Sequence, residues 1–425
     1  MKLAHLALGA LLVAPSGCDD AAGGAAPVPV GDECVIAVVG TDYASTAVSL
    51  LDADGALCAD DVIDSGSAAV GVLTALSGDV VLPTSPSPTG ELVLVDRYPN
   101  AVLTVVSFAS GHAEVARQIP VGTGFDANPH DVLFLSPTRA YVSRYATNPT
   151  PTADPGDLDD GGDLLIVDPS TGDLLGRVDL RAEAGAIGGV AVDPRPDRLL
   201  ALGGRIWVSL GNLSRRFDAA AEGALIGVDP ATDTVVARLT LPGLANCGQV
   251  LAPAPDDSGF WLACVGLLEG GRPVPGDEAR AGLAFVAVDG ATGDARVAWQ
   301  AGAAALFGGR IPGWGLVAER GDVAWITVFG DPDDGVPDSL LRVDRGDDGG
   351  ASDVDVTTEP FALSALLRLP ERGLLLVGDA NRAAPALRRY VVGAPGAPDA
   401  LDALTPTNTS PSVGLEPRHL LRFRR

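Results

Sequence analysis

Residues 129–180 read PHDVLFLSPTRAYVSRYATN, an inserted acidic stretch, then GDLLIVDPSTGDLLGRVDL. Short runs rich in Val, Leu, Ile and Tyr are cut by SPT, by the insertion and by DPSTGD. Runs of this length and composition, bounded by Pro, Gly, Ser and Asp, are strands joined by turns. The segment therefore reads strand, turn, strand, loop, strand, turn, strand. Residues 78–122, GDVVLPTSPSPTGELVLVDRYPNAVLTVVSFASGHAEVARQIPVG, run the same way, and Val95-Asp96-Arg97-Tyr98 falls on Val142-Ser143-Arg144-Tyr145.

Four further copies follow. GGVAVDPRPDRLLALGGRIWVSL precedes ALIGVDPATDTVVARLTL, with PRPD read as the first turn. GQVLAPAPDDSGFWLACVG precedes LAFVAVDGATGDARVAW, and WGLVAERGDVAWITVFG precedes SLLRVDRGDDGGASDVDV. The last is ALSALLRLPERGLLLVGDAN with ALRRYVVGAPG. A four-stranded unit recurring every 45–60 residues or so is the period of a propeller blade. The first unit, from Cys34, supplies three strands, and residues 417–423, PRHLLRF, resemble PHDVLFL of the third unit. We therefore expect an all-β chain: a seven-bladed β-propeller of four-stranded antiparallel blades, closed by the C-terminal strand completing the first blade. Closure removes the unpaired edges of an open sheet.

The second strands read AYVSR, IWVSL, FWLAC and AWITV, and the third LLIVDPSTGD, LIGVDPATDT and FVAVDGATGD. They resemble YVTN-type propeller repeats, in which an aromatic–valine–threonine strand is followed by one ending in aspartate and a Gly/Thr turn. The resemblance covers nearly all of the mature chain. It implies the fold and leaves the activity open, because propellers host binding modules, scaffolds and enzymes alike.

Residues 1–17, MKLAHLALGALLVAPSG, place Lys2 before an apolar run and small residues, a signal-peptide pattern. Cys18 follows, which resembles the lipobox of bacterial lipoproteins, with Pro15 where that family usually has leucine. The expected organisation is a signal peptide over 1–17, a flexible tether over 18–30 and a propeller over 31–425. Cys18 would carry the lipid, making the membrane a partner and the location exported, anchored in the bacterial cell envelope. Lipidation leaves four cysteines for an oxidising compartment. Cys247 and Cys264 bracket a hairpin and can pair. Cys34 with Cys58 is the remaining pair, although a strand is expected between them.

A formal charge of −26 repels phosphate backbones, which excludes nucleic acid as a partner. The only methionine is Met1 and the only lysine Lys2, so the mature chain has neither an axial thioether nor a Schiff-base lysine. Walker, G-x-S-x-G and H-E-x-x-H segments are absent.

The second-to-third links are long in units three to six, at 146–162, 211–223, 267–281 and 330–338. Antiparallel order puts these links on one face with the blade-to-blade connections. That face is the candidate for binding a protein or extracellular ligand. Blade-to-blade connections bring His130, Asp131, Gln249, Trp314 and His419 to the mouth of the central channel, and Arg97, Tyr98, Arg144 and Tyr145 end second strands there. Two acidic loops are candidates for Ca2+, the one cofactor considered: Asp157, Asp159 and Asp163 in DPGDLDDGGD, and Asp331, Asp333 and Asp338 in DPDDGVPD. The second resembles a thrombospondin type 3 calcium loop one residue short. Calcium takes roughly six to eight oxygens, which such spacing can partly supply. Two functions are thus expected: a binding or scaffold lipoprotein using the long-loop face, or a lactonase-like or dehydrogenase-subunit-like propeller with its site at the channel mouth.

Overall fold

The computed structural model describes residues 28–67, 71–269, 272–331, 333–346, 350–356, 360–393 and 401–424. The leader and Cys18 lie outside them. Seven four-stranded antiparallel sheets form the blades. In blade 1 the order from the axis outward is Pro417–Arg422, Ile36–Thr41, Thr46–Leu51 and Leu57–Asp64. The closing strand runs antiparallel to Ile36–Thr41, with Ile36 opposite Arg422, Val38 opposite Leu420 and Val39 opposite His419. Among the described residues no helix is long and apolar enough to cross a membrane.

Repetition in sequence becomes repetition in packing. Trp207, Trp261 and Trp325 sit at matching positions of three second strands, and all are fully buried. Tyr141 occupies that position in blade 3, equally buried. Each anchors an apolar layer between neighbouring blades, and such a layer exists at each of the seven interfaces. In blades 3, 4 and 5 the Asp at the end of the third strand caps its turn: Asp168 accepts from Ser170 N at 2.8 Å, and Asp229 and Asp289 do the same for Ala231 and Ala291 at 2.9 Å.

Both disulfides form. Cys247 and Cys264 are direct cross-strand partners, with Cα atoms 3.9 Å apart. Cys34 reaches Cys58 at a Cα separation of 5.9 Å although a strand intervenes. Each cysteine lies at the same end of its strand, flanking Leu51: Val35 N donates to the Leu51 carbonyl, and Leu51 pairs with Leu57. The end of the expected tether is docked: Val30 N donates to the Gly111 carbonyl at 2.8 Å, and Pro29 bridges His112.

Blade 4 corrects one expectation. Its innermost strand is Pro196–Leu202, so PRPD leads into this strand and is not its turn. The turn is Gly203-Gly204, at φ +60° and +73°, the left-handed backbone that a two-residue hairpin needs and glycine supplies without strain. Val190–Ala191 instead pairs with Ala186–Ile187 in a small exposed ribbon.

Candidate functional site at the channel mouth

Three innermost strands begin with proline followed by a polar pair: Pro129-His130-Asp131, Pro196-Asp197-Arg198 and Pro417-Arg418-His419. These starts converge on the axis at the face carrying the long links. They line a cavity of about 220 Å³, together with Gln249, Trp314, Arg97, Asp79, Tyr43 and Tyr145. A second cavity of about 330 Å³ continues down the axis and shares Arg198, Gln249, Trp314 and His419 with the first. Gly78 lets blade 2 approach blade 1 at the rim: a Cβ there would lie 2.4 Å from the Tyr43 backbone, and Thr41 Oγ1 donates to its carbonyl at 2.7 Å.

His130 and Asp197 hold equivalent positions in adjacent blades, so their side chains meet. Nδ1 of His130 lies 2.9 Å from Asp197 Oδ1. An ionised Asp197 accepts only, so Nδ1 carries the hydrogen and Nε2 presents its lone pair. The imidazole stacks on Tyr145, with centroids 4.1 Å apart and planes within 6°. Burial lowers the proton affinity of His130. Asp197 works against that, and Arg97 and Arg198 reinforce it, leaving the imidazole below its usual value. Burial alone would raise Asp197, but His130, Arg198 and Arg97 outweigh it and hold the carboxylate ionised.

Three arginines face this pair. Arg97 is clamped by Asp79, with Nε at 2.9 Å, and Arg418 pairs with Glu416 while lying 5.4 Å over the Tyr43 ring. Arg198 differs. Its Nε donates to the Gln249 carbonyl at 3.2 Å, and Nη1 donates to those of Leu82 and His130 at 3.3 and 3.4 Å. Its nearest carboxylate oxygen, on Asp197, is 3.8 Å away. Neutral carbonyls from three blades therefore fix this cation and leave its charge to act on a ligand. His419 is driven well below the usual imidazole value by burial, then by Arg198, Arg97 and Arg418, and is neutral at pH 7.

Of the expected mouth residues, His130, Gln249, Trp314, His419 and Arg97 line the cavity. Asp131 and Arg144 do not, which corrects their placement. Successive strand residues point to opposite sides, so Asp131 turns away from His130's side. It is fully buried, accepting from Thr84 N, Thr84 Oγ1 and Leu199 N at 2.9, 2.6 and 2.9 Å. Arg144 is fully buried against Asp163, with Nε–Oδ1 2.7 Å and Nη2–Oδ2 2.6 Å. Tyr98 is exposed, whereas its counterpart Tyr145 carries the histidine.

The aspartates of the two acidic loops make contacts within the chain. Asp163 is committed to Arg144, and Asp338 accepts from the amides of Gly330, Phe361 and Leu363 at 2.7–2.9 Å. Asp157 and Asp159 bond Thr152, Asp331 accepts from Asp333 N, and Asp333 pairs with Arg272. Among the described residues no three His, Cys, Asp or Glu side chains are arranged to hold a metal.

The sequence alone does not bring Asp197 and Arg198 to the mouth, because PRPD reads as a turn. The signal was present: PDRLLAL matches PHDVLFL and PRHLLRF in its opening proline and its alternation.

No family model matches the chain, and no curated protein matches it. Solved structures share its fold. The periplasmic gluconolactonase of Pseudomonas aeruginosa is similar at 15% identity and TM-score 0.57, over 91% of this chain and 98% of that one. A candidate 6-phosphogluconolactonase from Bacteroides fragilis is similar at 10% identity and TM-score 0.54, over 92% and 98%. A hypothetical selenium-binding protein from Sulfolobus tokodaii is similar at 10% identity and TM-score 0.58, over 93% and 94%.

Proposed function

We propose that the chain is a propeller-type hydrolase of small lactones, working at the channel mouth, with its blades YVTN-type repeats and its N-terminus tethered to the envelope through Cys18. The observation that carries this reading is the His130–Asp197 pair, 2.9 Å apart, beside a cation whose hydrogen bonds go to backbone carbonyls of three blades. Nε2 of His130 takes a proton from water as the water oxygen attacks the lactone carbonyl. Asp197 holds the tautomer and stabilises the imidazolium. The carbonyl oxygen, now negative, faces Arg198. Collapse breaks the ring C–O bond, and the proton on Nε2 passes to the leaving alkoxide, giving a hydroxy acid. A mouth of about 220 Å³ suits a small substrate. Two of the structural neighbours carry lactonase names, which supports the choice over a binding scaffold.

The test is lactone hydrolysis by the purified chain in a pH-stat, with glucono-δ-lactone as the first substrate in a panel. His130→Gln should lower kcat by roughly 10²–10⁴-fold, and Asp197→Asn should also lower it. A panel hydrolysed no faster than in buffer overturns the reading. Mass spectrometry of the N-terminal peptide tests the anchor, and an unmodified Cys18 refutes it.

A further inference from the structure

Arg195 does not line the mouth, yet its guanidinium belongs to a column that ends at His130. The Phe217 ring lies 4.5 Å from the Arg195 guanidinium carbon, and the Tyr145 ring lies 5.1 Å from it. Tyr145 in turn stacks on the His130 imidazole at 4.1 Å. The imidazole covers one face of Tyr145, so the cation takes the other.

Arg195 is 5% exposed, and among the described residues its buried Nε has no hydrogen-bond partner. Its nearest carboxylate oxygen, Asp193 Oδ2, is 3.7 Å from Nη2, beyond hydrogen-bond length, and is shared with Arg215 at 3.8 Å. The charge is held by two ring faces. Both ends of the clamp sit in left-handed backbone, Arg195 at φ +52° and Phe217 at φ +59°. Non-glycine residues occupy that region at a cost, which the surrounding structure must impose. Here the 211–221 link imposes it: Gly211 N donates to the Arg195 carbonyl at 2.9 Å, and Phe217 N to that of Ser214 at 3.0 Å.

We infer that Arg195 is a positioning residue for His130: acting through Tyr145, it sets the plane of the imidazole and keeps a positive charge behind it. The role as positioner of a base rests on the lactonase reading, while the column itself does not. Facing His130 are Asp197, Arg97 and Arg198 within the mouth, with Asp79, Arg418 and His419 across it. Tyr145 and Arg195 stand behind, Asp193 and Arg215 beside Arg195, and Asp131 next in the same strand. Only Asp197 hydrogen-bonds the ring among the described residues, so each nearby cation disfavours the second proton and keeps Nε2 open to water.

The experiment is an NMR titration of the histidine rings in the full-length protein, with His130→Gln used for assignment. Arg195→Met keeps the side-chain stem and removes the charge. It should raise the His130 midpoint by about half a unit, the size of a partly offset charge acting through an effective dielectric near 20. Arg195→Lys should restore it. Phe217→Ala, at a half-exposed loop tip, should shift it in the same direction by less, and it remains informative if Arg195→Met does not fold. If the lactones are cleaved, the acid limb of kcat/KM should move by the same amount in Arg195→Met with KM unchanged. A purely structural role would lower the melting temperature and leave the midpoint in place. An unchanged midpoint in both Phe217→Ala and any folded Arg195→Met overturns the inference, whether or not a lactone is hydrolysed.

Discussion

Deleting residues 415–425 should open the ring. The segment supplies the innermost strand of blade 1, paired with Ile36–Thr41 from Ile36–Arg422 to Gly40–Pro417. It also carries Leu421 and Phe423, 8% and 2% exposed, the latter 5.4 Å from Phe108 between ring centroids. Full burial of such side chains is worth about 1.5–3 kcal/mol each, so the pair accounts for about 3–6 kcal/mol. The unpaired edge of Ile36–Thr41 adds to the loss and templates association with another chain. Net stabilities of folded domains are about 5–15 kcal/mol, so the deletion should remove much of the margin. Thermal melts by circular dichroism should show a large drop in Tm, and size-exclusion chromatography should show new oligomers. A synthetic peptide spanning 411–424 should raise Tm with the logarithm of its concentration, because it binds only the folded ring. The single change Leu421→Ala should cost about 2–5 kcal/mol. A truncated chain that melts with the full-length protein and stays monomeric would refute the closure argument.

Two further outcomes are expected. Arg144→Met should destabilise by about 3–5 kcal/mol, because it strips the fully buried Asp163 carboxyl of the guanidinium that hydrogen-bonds both its oxygens. Arg144→Met with Asp163→Leu should recover most of the loss in urea unfolding, and an additive double mutant would contradict this. For His419, the folded-state value lies well below the ordinary 6.5, so the unfolded chain binds more protons between the two. Its contribution is complete above about pH 6.5 and is lost as pH falls toward the folded value, by at most about 1.4 kcal/mol per pH unit. Wild type should therefore lose more stability between pH 7 and pH 5 than His419→Gln does, and parallel curves would refute it.

Blade number, strand order and ring closure were legible in the chain because each blade repeats one local pattern. Alternating apolar residues define its strands, and an Asp-capped turn or a Gly or Pro marks its corners. The pairing of Cys247 with Cys264 followed from the same register. At PRPD the local pattern imitates a turn, which hides that Asp197 and Arg198 begin an innermost strand and face the axis. Tertiary structure alone decided which polar residues share the mouth. A strand turns successive side chains to opposite sides, so His130 lines the cavity while Asp131 is buried beneath it. Arg97 and Arg144 match in sequence, yet one lines the mouth and the other is buried with Asp163. Contacts such as His130 with Asp197, or Arg195 with Tyr145 and Phe217, join residues far apart in the chain. The first exists because neighbouring blades present equivalent positions to one axis, the second because the 211–221 link folds back over Arg195 at the edge of the next blade. The local pattern encodes each blade, and the closed ring determines what its strand ends meet.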